Sequence, residues 1–243
     1  MILPIMHGHI ARRLLINFRV DPTRIAALLP APFRPKLLDG QAVAGICLIR
    51  LQQIRPRGLP ASFGVTSENA AHRIAVEWDA HGQTLEGVYI PRRDTSSRLN
   101  TLVGGRLFPG MHHHARFTTT DDTTGITVQF HSDDGHMHAA VMGHATTALA
   151  ATSAFPSLAA ASQFFERGAV GYSVTSHAAQ LDGLELRSVG WNVAPFAVHH
   201  VESSFFGDQQ RFPPGSIHYD CALIMRNIVH EWHACGTFAC VPQ

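Results

Sequence analysis

Between His72 and Asp79 the chain alternates strictly, with His72, Ile74, Val76 and Trp78 on one side and Arg73, Ala75, Glu77 and Asp79 on the other. A period of two is that of a half-buried strand, so this segment predicts a strand. His81-Gly82 then supplies a turn, and Thr84 to Ile90 reads as the returning strand. Upstream, Gln41 to Ile54 is dense in apolar and β-branched residues and stops at the breakers of Arg55-Pro56-Arg57-Gly58-Leu59-Pro60, which predicts strand and then loop. Downstream, short strands are expected around residues 112–119, 125–131 and 136–142. Asp121-Asp122 with Gly125, and Asp133-Asp134-Gly135, are the turns that make them antiparallel.

Helical signals are fewer. Asp21-Pro22 ahead of Ile25, Leu28 and Leu29 combines a cap and a first-turn proline with an apolar face, and Pro30 closes it. Asp94 or Thr95 is placed to cap a short helix through Leu99 and Leu102 to Gly104-Gly105. An Ala-rich stretch ending in Phe155-Pro156, with Leu158 to Arg167 closed by Gly168, predicts the second substantial helix. Strands and turns fill the remainder. Many short strands, few helices and no regular strand-helix alternation predict an α+β fold around an antiparallel sheet or barrel. No repeat, linker or low-complexity segment divides residues 1–243, so a single domain is expected.

Composition narrows the function more than the fold. With 45% hydrophobic and 15% charged residues there is ample material for a core. A net charge of +1 without a basic stripe argues against nucleic acid as a partner. The four cysteines lack any C-x-x-C spacing, which predicts reduced thiols in a cytoplasmic protein. Met1 to His9 has no leader pattern, and no apolar run approaches the about 18 residues of a membrane span. Neither export nor a membrane partner is expected, while a homo-oligomer is compatible with the sequence. Of 19 basic residues Lys36 alone is a lysine, so amine chemistry has one candidate. It sits in the turn-like Arg34-Pro35-Lys36-Leu37, where a solvated position is expected.

Three stretches resemble the acetoacetate decarboxylase-like superfamily, especially its YqjF-like branch of unknown function. Leu28-Leu29-Pro30-Ala31-Pro32-Phe33 is similar to an early helix end of these proteins. Arg55 to Pro60 followed by Ser67-Glu68-Asn69 resembles the arginine-proline loop and the glutamate at the head of a strand. Gly87-Val88-Tyr89-Ile90-Pro91 and then Gly105-Arg106-Leu107-Phe108-Pro109-Gly110-Met111 is similar to the decarboxylase run GxYxP followed by GRExxGfPKK. The later Phe164-Phe165-Glu166-Arg167 and Trp191-Asn192-Val193 also fit the branch, so the likeness covers roughly residues 10–230. It implies a cone-shaped β-barrel with a few flanking helices and an internal pocket for a small molecule. In the decarboxylases two lysines end the third motif, and the imine-forming amine is activated in a desolvated, cationic site. Here those positions are Gly110 and Met111, and neither can form an imine.

The resemblance implies that Glu68 is a pocket carboxylate suited to proton transfer, against a surface ion pair with Arg73. It implies that Arg106 holds a ligand carboxylate through its two-pronged guanidinium, against a structural pairing with Glu86. Met111 and Tyr89, as members of the third motif, are the other candidate binding residues. His112 and His113 are candidate proton-transfer residues beside the lost lysines: His112 if the Gly110 face lines the pocket, His113 if the opposite face does. The 17 histidines include the pairs His7/His9, His136/His138, His199-His200 and His230/His233, yet none has the spacing of a cupin or helical zinc site. No metal and no cofactor are therefore expected. The expected ligand is a small organic acid or carbonyl compound, handled by a lyase, hydratase or isomerase without an imine. The alternatives are a non-catalytic binding or sensing protein and a histidine-dependent metalloenzyme.

Overall fold

The computed structural model describes residues 4–80, 82–103 and 110–241. In chain order its elements are β1 (Met6–Val20), α1 (Pro22–Ala26), β2 (Arg34–Pro35), β3 (Leu37–Leu38), β4 (Gln41–Pro56), β5 (Val65–Ala80), β6 (Gln83–Thr95) and α2 (Arg98–Val103). Then come β7 (His113–Asp121), β8 (Ile126–Ser132), β9 (His138–Ala145), α3 (Leu158–Arg167), β10 (Val170–Val174), β11 (Gln180–Ser188), β12 (Ala194–Ser203) and β13 (Ile217–Ala239).

All strands belong to one 13-stranded sheet, which closes on itself twice. In the larger circuit β5 and β6 are followed by β7, β8, β9 and β12, and β13, β1 and β4 return to β5. In the smaller one β6 pairs with β10, β10 with β11 and β11 with the distal half of β13. The two circuits share β13, β1, β4, β5 and β6. Most pairings are antiparallel, and β6 meets both β7 and β10 in parallel.

The shared wall explains the sequence of its strands. Leu14, Ile16 and Phe18 of β1 and Ala44, Ile46 and Leu48 of β4 face one core. Leu15, Val43, Cys47 and Leu51 face a second core, which is closed by Phe155 and the α3 residues Ala161 and Phe165. A strand buried on both faces has no polar side, so its apolar residues run on instead of alternating. In β5 the even positions Ile74, Val76 and Trp78 enter the first core, as the alternation predicts, and the odd positions Arg73 and Ala75 face the smaller circuit, while Glu77 and Asp79 pair with Arg34.

Two helix expectations change. The Ala-rich stretch before Phe155 is turns, because Ser157 caps α3 through the Ala160 amide at 3.1 Å, and Ser153 Oγ and the Ala154 amide bond to buried Asp220 instead. Strand β6 runs through Asp94 and Thr95, and the α2 cap is Ser97, whose Oγ accepts from the Asn100 amide at 3.2 Å. The Gly104-Gly105 helix end lies outside the described residues, as does His81. No helix among the described residues is long and apolar enough to cross a membrane.

Candidate functional site

A cavity of about 120 Å³ occupies the smaller circuit, and every strand of that circuit contributes to its wall. Its apolar side comes from residues such as Ile49, Leu51, Val88, Ile90, Leu184 and Leu186. Its polar side is dominated by guanidinium groups: Arg13 of β1, Arg73 of β5 and Arg93 of β6. Ser67, Asn69 and Asn100 add neutral donors and acceptors.

None of the three arginines has a carboxylate partner among the described residues. Arg13 Nε donates to Cys47 Sγ at 3.3 Å, its guanidinium lies 5.6 Å from the Trp191 ring centre, and its Nη1 is buried without a hydrogen bond. Arg73 donates through Nη2 to Asn17 Oδ1 and stacks 4.8 Å above Phe165, leaving Nε buried and unbonded. Arg93 Nε donates to Ser173 Oγ at 2.8 Å. Burial lowers Arg73 and Arg93 to about 10, which still leaves both protonated at neutral pH. Asp94 is the one carboxylate in the cavity wall, and Arg92 already grips it with Nε at 3.0 Å and Nη2 at 2.7 Å. A buried charge without a counter-ion is costly. The cavity is thus a cationic site that an anion would complete.

His112 lines the same cavity. Its Nδ1 lies 3.2 Å from the Gly110 carbonyl oxygen, which can only accept, so Nδ1 carries the proton and Nε2 is the basic nitrogen. Burial, reinforced by the charge of Arg93, pushes this imidazole down to about 3 and keeps it neutral. So depressed an imidazole is a weak base; a carboxylate held on Arg93 would offset the arginine's charge and raise its basicity toward the range useful for proton transfer.

The other sequence candidates lie elsewhere. Glu68 projects from the opposite face of β5 to the cavity residues Ser67 and Asn69. It pairs with Arg12 at 2.6 Å and Arg50 at 3.7 Å, not with Arg73, and Arg12 reaches on to Asp121 at 3.5 Å. Burial raises its carboxyl above the usual range, against the pull of both arginines. His113 joins Asp134 at 3.1 Å, beside the Arg92–Asp94 pair and outside the cavity lining. Tyr89 is buried in the first core, 6.2 Å from the Phe33 ring centre. Met111 is 40% exposed. Arg106 lies outside the described residues, and Glu86 pairs instead with Lys36 and, at 3.9 Å, with Arg167.

Lys36 is not solvated as its turn-like setting implied. It is largely buried, packs 4.1 Å over the Phe164 ring and borders a small void that Arg13 and Arg73 also line. Gly110 has φ +85°, and a Cβ there would overlap Ser173, so the first of the two lost lysine positions has no room for any side chain. Among the described residues no three His, Cys, Asp or Glu side chains gather as a metal site. The His144 and His199 rings stack as a pair at 4.8 Å.

Sequence reasoning missed Arg13, Arg73 and Arg93 because polar positions on a strand look solvated. The available signal was doubling: Arg12-Arg13 and Arg92-Arg93 each put one arginine on either face of a wall strand.

Solved structures share this architecture. An acetoacetate decarboxylase from Legionella pneumophila subsp. pneumophila str. Philadelphia 1 superposes with a TM-score of 0.59 at 14% identity, over 98% of this chain and 88% of that one. An acetoacetate decarboxylase-like enzyme from Sphingomonas wittichii RW1 gives 0.57 at 14% identity, over 100% and 94%. The enduracididine biosynthesis enzyme MppR, complexed with the condensation product of pyruvate and imidazole 4-carboxaldehyde, gives 0.58 at 11% identity, over 98% and 90%. The fold is therefore that of the acetoacetate decarboxylase-like proteins. Within it the chain belongs to the DUF2071 family, described as "Uncharacterized conserved protein (COG2071)", whose model matches residues 9–219. No curated protein matches the sequence.

Proposed function

We propose that this chain binds a small organic acid in the cavity of the smaller circuit, with the ligand carboxylate held by Arg93 beside His112. The observation that carries this reading is the gathering of buried Arg73 and half-buried Arg13 and Arg93 around one cavity, none of them paired with a carboxylate among the described residues. A guanidinium fork is well matched to a carboxylate through two parallel hydrogen bonds. A cavity of about 120 Å³ approaches the roughly 150 Å³ of an engineered cavity that takes benzene, which limits the ligand to about six to eight heavy atoms. MppR has been solved with pyruvate, a ligand of that size.

A second reading, that the protein acts on this acid as a lyase, hydratase or isomerase without an imine, is favoured by His112. Its Nε2 is the basic nitrogen, and it shares the cavity with Arg93. Calorimetric titration with acetate, propionate and small 2-oxo acids tests binding. Saturable binding is expected, weakened roughly 10- to 100-fold in Arg93→Gln, the loss of a charged hydrogen bond of about 1.5–3 kcal/mol. Absence of binding by every acid refutes the proposal. Deuterium exchange at C3 of a bound 2-oxo acid, the carbon next to the keto group, followed by NMR, tests the chemistry: His112→Asn should abolish exchange and keep binding. Exchange that persists in this variant contradicts the assignment of His112.

A further inference from the structure

The arginines do not form one cluster. Arg93 and His112 line only the main cavity, whereas Arg13 and Arg73 also line a smaller void on the α3 side, together with Phe164, Phe165 and Lys36. The site therefore has two cationic stations in neighbouring voids whose linings share Arg13, Arg73, Val88 and Gly168. The second has donors to spare. Arg13 Nη1 and Arg73 Nε are buried and unbonded at the second station, and Arg73 is only 7% exposed. Lys36 adds no free charge there, because Glu86 neutralises it.

One carboxylate satisfies one station. If it sits at Arg93, Arg13 and Arg73 remain buried, charged and incompletely bonded, the condition that proteins avoid. The smaller void, about 20 Å³, exceeds the roughly 10–15 Å³ that one water-sized group needs. It marks room for a polar terminus beyond the main cavity.

We infer that the ligand is a short-chain dicarboxylate, one acid group on Arg93 beside His112 and the other on Arg13 and Arg73 where the two voids meet. This rests on the reading of the cavity as a carboxylate site and adds the ligand's second charge. The chain between the acid groups crosses the apolar wall of Ile49, Val88 and Ile90, so it is an unsubstituted or lightly substituted hydrocarbon linker. Cys47 accepts from Arg13 Nε at 3.3 Å and lines the cavity, which leaves the Nη groups of Arg13 for the ligand.

Calorimetry on the wild-type protein at constant ionic strength decides the question, with oxalate, malonate and succinate set against acetate, propionate and butyrate, and with inorganic phosphate as a single-centre dianion. At least one dicarboxylate should bind tenfold or more tighter than every monocarboxylate and than phosphate. Arg13→Gln should weaken that dicarboxylate at least tenfold more than it weakens any monocarboxylate, so that the preference for the dicarboxylate is lost. Equal affinity for the two classes overturns the second station while the carboxylate site stands. Phosphate binding more tightly than any dicarboxylate also overturns it, by showing that charge and not spacing is recognised. Absence of binding by all seven anions refutes both this inference and the reading beneath it.

Discussion

His72 makes a quantitative test of how the interior is built. It is fully buried in the first core, stacked 4.8 Å from the Phe205 ring centre, and neither ring nitrogen has a hydrogen-bond partner among the described residues. Burial, with Arg92 and Arg211 adding repulsion, pushes it down to about 3, against about 6.5 in an unfolded chain. A folded-state value below the unfolded one means that the unfolded chain binds the extra proton. The contribution is intact above about pH 6.5 and is lost as pH falls toward 3. At 1.36 kcal/mol per unit, the two units from pH 6.5 to 4.5 amount to roughly 2–3 kcal/mol from this side chain alone. His72→Leu removes the titrating group at similar volume. Urea unfolding followed by tryptophan fluorescence at pH 7.0 and 4.5 should show the loss of stability on acidification shrink by roughly 2–3 kcal/mol in the variant, whatever its stability at pH 7. His112 and His230 are also depressed, to about 3 and about 4, so the variant should retain part of the acid sensitivity. An unchanged difference between the two pH values refutes the account of His72 as a buried neutral imidazole.

Three further outcomes follow from the geometry. Glu68→Gln should leave carboxylate affinity within twofold and lower stability by roughly 2–4 kcal/mol, because it strips a buried arginine of its closest partner; calorimetry and urea melts separate the two effects. Gly110→Lys should destabilise the fold by at least about 1–2 kcal/mol, the cost of a left-handed backbone for a residue with a Cβ, before any overlap with Ser173 is counted. Borohydride with a β-keto acid should leave the wild-type mass unchanged, and a reduced adduct on Lys36 detected by peptide mass spectrometry would show that the protein does make an imine.

Where an element carries a regular period or a capping residue, the sequence could be read directly. The alternation at His72–Asp79, the Asp21-Pro22 start of α1 and the Ser157–Gly168 limits of α3 each carry a local signal that the structure keeps. Strand β1 carried no such signal: Leu14, Leu15 and Ile16 are all fully buried, two facing one core and one the other. The distal half of β13 depends on pairing with β11, a contact between residues about 50 positions apart that no local pattern encodes. The site divides in the same way. The absence of the lysine pair was legible from the motif, and the structure adds that Gly110 has no room for a side chain. The placement of Glu68 was not, because neighbouring residues on a strand face opposite ways. A one-residue difference decides whether an acid enters the cavity or the ion cluster of Arg12 and Asp121.

If this protein holds a small acid, the arginine-lined cavity is where the acid should sit. A crystal structure grown with 3-bromopropionate tests it most directly, since the anomalous signal of bromine locates the ligand independently of the protein. Bromine is expected inside the smaller circuit, with the carboxylate on Arg93 beside His112. Bromine at the Glu68–Arg12 cluster, against Lys36 with the cavity empty, or only on the outer surface would contradict it.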